Sequence, residues 1–207
     1  MKNEESLWTF LPVYPEMWAN ISPRVFIVGA EPNDDQPRPA QKDMGEWFRT
    51  AYPDNGYWEN PKFYRATMLQ LRAVMGRPLK APARVHEDKE DLRHLRYLDL
   101  KATGGRSRAN TDEIAGWVKE HIDDVISYWG EDRPDATVLQ GNHAQKVFEE
   151  VLGPELRRRS IEVQRVGLPH PARGGYDLMA MEDARNHLRP LGDLLHRWSR
   201  RKRRWEK

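Results

Sequence analysis

The chain has 207 residues, 38% hydrophobic and 32% charged, with a formal net charge of +2 and no cysteine. That length suits one domain with a buried core, the absent cysteines exclude disulfides, thiolate zinc sites and cysteine-held iron–sulfur clusters, and eight tryptophans among regular apolar runs argue against disorder. No apolar run reaches the ~18 residues of a membrane span, and Met1–Leu7 is polar without a signal-peptide pattern, so a cytoplasmic monomer away from membranes is expected.

Arg24–Gly29 (RVFIVG) is the first short apolar run that reads as a buried strand. It continues into Ala30-Glu31-Pro32-Asn33, which is neither a phosphate-binding loop nor a dinucleotide fingerprint. A proline three residues after a strand-ending glycine fixes a tight turn, which would hold Glu31 at the edge of a sheet; the plainer role for Glu31 is to cap the next helix. Asp34–Pro39 and Arg77–Lys89 are Pro-rich, charged loops. Between them, Pro61–Met75 carries Phe63, Met68, Leu71 and Val74 at helical spacing. Leu95–Lys101 (LRYLDLK) is a second strand, and Thr111–Trp129 a second amphipathic helix, opened by Thr111, Asp112 and Glu113. Ala136–Gly141 and Ile161–Gly167 complete a set of four strands, with a helix over Asn142–Leu152 between them.

The last strand runs into Leu168-Pro169-His170-Pro171-Ala172-Arg173-Gly174-Gly175. A histidine between two prolines has its backbone held extended or in a turn, and the glycines that follow let the loop approach a ligand closely; the plainer alternative is a solvated surface histidine. A final helix is expected over Met179–Trp198, then a basic tail (about 197–207) with six Lys or Arg between Arg197 and Arg204. The tail suits a phosphate backbone, or is simply a solvated helix end.

Strands alternating with helices imply a single α/β domain over 1–207, three layers (α/β/α) around a central four-stranded, mostly parallel sheet. Ligands bind such sheets beyond the carboxyl ends of the strands. That singles out the segments after Gly29, around Asp99–Lys101, at Gly141 and after Gly167.

Gly29-x-Glu31-Pro32 after the first strand and His170-Pro171 after the last resemble the two defining motifs of the uracil-DNA glycosylase superfamily. Gly45-Glu46-Trp47-Phe48 is similar to the family's Gly-x-x-Phe, Tyr97-Leu98-Asp99-Leu100-Lys101 to its base-reading strand, and Gly141-Asn142-His143-Ala144 to its strand-Gly-x-x-Ala step. The likeness spans Val25 to Arg173. It implies a DNA glycosylase that flips a base out of the duplex. Glu31 would then orient the attacking water and stabilise an oxocarbenium-like sugar. His170 would hydrogen-bond the base oxygen on which negative charge develops. Phe48 would stack on the base, and Ala30, Asn33 and Asp99 would line its pocket. Arg173, Gly174 and Gly175 would probe the duplex, with Asn142 and His143 also contacting DNA. DNA is the implied partner, no cofactor or metal is implied, and monofunctional cleavage to an abasic site is expected; acidic Asp34 and Asp35 read as solvated loop residues.

Two departures from the family pattern bear on the base. Uracil enzymes read the base with an Asn amide where Asp99 stands here. An ionised Asp only accepts hydrogen bonds, and a protonated one accepts and donates at once, so either form suits the amino edge of cytosine better than uracil. Uracil-specific members carry a Tyr at the position of Asn33, and the smaller Asn33 leaves room at C5. Together these point to a C5-modified cytosine such as glucosyl-hydroxymethylcytosine of phage DNA, and to a resemblance with anti-phage members of the superfamily. The reading requires Asp99 to face the base side of the sheet. The alternatives are a uracil or mismatch glycosylase in base-excision repair, and a non-catalytic nucleic-acid-binding module of the same fold.

Overall fold

A computed structural model describes residues 11–30, 44–50, 61–79, 90–101 and 110–170. The expected helix over Met179–Trp198, the basic tail, and Glu31, Asn33, Arg173, Gly174 and Gly175 lie outside the described residues. Four parallel strands form one sheet in the order β2-β1-β3-β4: β1 is Val25–Gly29, β2 Leu95–Asp99, β3 Ala136–Gln140 and β4 Arg165–Leu168. β1, β2 and β3 are buried along their whole length, which is why β1 and β3 read as near-continuous apolar runs instead of alternating ones. Helices cover both faces, so the three-layer α/β domain read from the sequence is the observed architecture, with every described strand pair parallel.

Among the described residues the helices are α1 (Pro15–Trp18), α2 (Met44–Thr50), α3 (Pro61–Val74), α4 (Thr111–Glu120), α5 (Ile122–Asp132), α6 (Gly141–Val147) and α7 (Gly153–Arg158), with a further helical stretch at 90–92. α2 and α3 lie between β1 and β2 in the chain, whereas α4, α5, α6 and α7 connect the strands that step the other way across the sheet. Right-handed crossovers in opposite directions put the two groups of helices on opposite faces. The direction reverses at β1, so the crevice between the carboxyl ends of β1 and β3 is the topological switch point, where such sheets bind ligands.

Three elements differ from the sequence reading. The expected helix Thr111–Trp129 is two helices, broken at His121. His121 stacks on Trp117 at 4.1 Å, and its Nδ1 and its backbone N–H both lie within hydrogen-bond distance of the Trp117 carbonyl. A side chain that inserts into the helical ladder kinks the helix. The start is capped by Asn110, whose side chain accepts from the Asp112 N–H at 3.0 Å.

The expected helix Asn142–Leu152 begins one residue earlier and runs through a π turn, Phe148–Leu152, into α7. Pro154 has no N–H to give to the Glu150 carbonyl, so an α-turn cannot be completed there, and the Gly153 N–H reaches the Phe148 carbonyl instead. β4 starts at Arg165 and not Ile161, because β3 offers no partner before Thr137. Ile161 and Val163 still pack on the core.

Candidate functional site

Asp99 ends β2 in register with Gly29, the last residue of β1. Successive side chains of a strand alternate in face, so Tyr97 and Asp99 share one. A Cβ built on Gly29 would lie 2.2 Å from Asp99 Oδ1 and 2.6 Å from the Tyr97 hydroxyl. Only glycine allows the two polar groups to crowd over the end of β1. The strand pairing continues past both strands, with Leu100 N–H donating to the Gly29 carbonyl and Lys101 N–H to the Ala30 carbonyl. This holds Ala30 against β2.

That face is the one covered by α2 and α3. Phe48 of α2 lies with its ring 5.5 Å from Tyr97, 5.8 Å from Tyr64 and 6.3 Å from Phe63. It is fully buried within this aromatic cluster, whereas a stacking role asks for an open ring face. The half-buried ring nearer the edge is Phe63, edge-on to Tyr97 at 5.6 Å and 6.3 Å from the His170 imidazole.

His170 arrives from β4 and lies over the end of β3. Gly141 has φ +80°, and a Cβ there would lie 2.9 Å from His170 Cβ. The left-handed backbone and the close approach both demand glycine at this step. Asp99 and His170 thus lie on the same side of the sheet, flanking the end of β1. The strands that carry their supports, β2 and β3, are two spacings apart, about 10 Å.

A buried polar chain spans that gap. The Tyr97 hydroxyl donates to Gln140 Oε1 at 3.1 Å, and Gln140 Nε2 donates to Gln70 Oε1 at 2.6 Å and to Thr67 Oγ1 at 3.3 Å. Gln70 Nε2 donates to the Pro169 carbonyl at 2.9 Å, one residue before His170. Burial first, and then the nearby Asp99 carboxylate, push the Tyr97 phenol well above its ordinary value, so it keeps its proton.

On the opposite side of the same edge, Asn142 is exposed in the first turn of α6. His143 is half-buried, with Nδ1 2.6 Å from Thr111 Oγ1 at the start of α4. Lys101 is buried and paired with Glu113. Among the described residues no group of three or more metal-ligating side chains is assembled, and no helix is long and apolar enough to cross a membrane.

The structure therefore sets Ala30, Asp99 and His170 along the carboxyl edge, Asp99 and His170 on the same side of the sheet, with Phe48 packed against Phe63 and Tyr97 on that side. The sequence reading missed Phe63, Thr67, Gln70, Tyr97 and Gln140. A signal existed for three of them: Phe63, Thr67, Gln70 and Val74 repeat at one-stripe helical spacing, so Thr67 and Gln70 interrupt an otherwise apolar stripe. Against protein-family models and against curated proteins, the chain finds no match.

Proposed function

We propose that the chain is a monofunctional DNA glycosylase that flips a C5-modified cytosine out of duplex DNA and hydrolyses its N-glycosidic bond, leaving an abasic site. The observation that carries this reading is the convergence of Asp99 and His170 on one face of the sheet, at the switch point, directly beyond the strand that runs into Glu31. Cleavage passes through an oxocarbenium-like sugar and an anionic leaving base. A carboxylate at Glu31 orients water and stabilises the sugar cation, while His170 hydrogen-bonds the base oxygen that gains charge. Asp99 faces the α3 side with Tyr97, and a carboxyl group there suits an amino edge. Arg173, Gly174, Gly175, Asn142, His143 and the basic tail serve as contacts to DNA, and a modified-cytosine target makes phage DNA the natural substrate of a cytoplasmic monomer.

The test is base release from duplexes that carry uracil, a thymine mismatch, cytosine, hydroxymethylcytosine or glucosyl-hydroxymethylcytosine, with alkali to cut abasic sites. Cutting confined to the modified cytosines is the expected result. Cutting at uracil would retain the glycosylase and discard the role of Asp99, and no cutting at any base would favour a binding module. Asp99→Asn should move the preference toward a uracil-type edge; an unchanged base preference would remove Asp99 from base reading.

A further inference from the structure

The buried chain from Pro169 to Tyr97 has a fixed polarity, because its first member has no choice. A proline carbonyl only accepts, so Gln70 must turn its Nε2 toward Pro169. Gln70 then presents Oε1 to Gln140, and Gln140 must answer with Nε2. The second N–H of that amide goes to Thr67 Oγ1. Gln140 is left presenting Oε1 to Tyr97, and the phenol must donate. Gln70, Gln140 and Thr67 are buried to 2%, 1% and 0% exposure, so water does not compete for these bonds. A phenol has one proton, and here it is directed away from Asp99.

We propose that the Pro169–Gln70–Gln140–Tyr97 chain makes the Tyr97 hydroxyl an acceptor beside Asp99, so that this end of the site selects a hydrogen-bond donor on the ligand, an amino N–H in preference to a carbonyl oxygen. The inference rests on the proposed base site and adds Tyr97 as a residue that determines specificity, with Gln70 and Gln140 positioning it. Tyr97 Oη and Asp99 Oδ1 crowd the same point over Gly29. A base carbonyl brought against this pair meets lone pairs on both, whereas an amino group meets acceptors it can satisfy. The chain also ties the selecting end to the backbone next to His170, so the group that recognises the base and the one that assists its departure share one support.

The test uses two duplexes with the same C5 substituent, 5-hydroxymethylcytosine and 5-hydroxymethyluracil, which differ on the Watson–Crick edge. The wild-type chain should favour the cytosine form. Tyr97→Phe, which keeps the ring, and Gln70→Leu, which releases the polarity of Gln140, should each shrink the ratio of kcat/KM values for the two bases by roughly tenfold, the worth of one hydrogen bond. A merely structural role would lower both rates together and leave the ratio alone. A wild-type chain indifferent to the pair, or a ratio unmoved in Tyr97→Phe, would overturn the proposal while leaving the glycosylase reading intact. If neither base is released, the wider panel of bases decides the glycosylase reading, and equilibrium binding of the same pair built with uncleavable 2′-fluoro sugars decides this one. A binding preference for the cytosine form that is lost in Tyr97→Phe upholds it; equal binding, or none, overturns it.

Discussion

Gly141 is the residue on which the position of His170 most directly depends. Its φ of +80° costs an alanine about 1–2 kcal/mol, and the added methyl would lie 2.9 Å from His170 Cβ, so the histidine must move. Gly141→Ala should therefore lower kcat more than that stability loss explains, in a protein that still melts cooperatively. Activity equal to wild type would separate Gly141 from the site.

His94 gives a second test at this scale. Burial, its main perturbation, holds its pKa below the usual 6.5, opposed by the Pro23 carbonyl that its Nδ1 contacts at 2.7 Å. A histidine depressed in the folded state takes up its proton more readily when unfolded, so stability falls as pH drops below about 6.5 toward the lower folded value. Thermal melting from pH 7.5 to 5 should show a shallower acid decline in His94→Asn than in the wild type. Parallel curves would contradict the assignment.

The elements beneath the site are held by aromatic packing. α2 contributes Phe48, fully buried among Phe63, Tyr64 and Tyr97. Phe48→Ala should cost about 3–5 kcal/mol in urea unfolding, as for other buried phenylalanines. Phe63→Ala, at a half-buried ring, should cost less stability and more base binding. If Phe48→Ala is benign to stability but abolishes binding, the stacking role implied by the family pattern holds and Phe63 is the packing residue. α3 is positioned by charge as well: Arg72 and Arg77 near its end both pair with Asp91, which is buried ahead of β2. Losing Asp91 would leave the buried Arg72 without that carboxylate, the costly way to break such a pair.

For the whole molecule, the reversal of winding at β1 decides where a ligand can bind, and the net charge of +2 decides little. Affinity for a phosphate backbone must then come from local basic segments, of which the stretch from Arg197 to Arg204 is the densest. Truncation after Leu195 should weaken binding to duplex DNA and flatten its dependence on salt. An unchanged salt slope would mean that the tail makes no phosphate contact.

The sequence by itself determined the layers and the edge. Short apolar runs alternating with amphipathic helices leave little choice but a parallel sheet covered on both faces. It also marked His170, because a histidine between prolines is unusual where packing alone decides, and Asp99, through its place at that edge and the resemblance of its strand to a base-reading one. Only the tertiary structure decided which face Asp99 takes. That depends on the register Gly29↔Asp99, and a shift of one residue would have turned it away from α3. The polar chain from Pro169 to Tyr97 was likewise beyond sequence reasoning. Its members are separated by 99, 70 and 43 positions, and a buried amide becomes informative only when its partner is known. Phe48 was legible as a motif and not as a location, since spacing says that a ring lies near the site, and packing alone says whether its face is open.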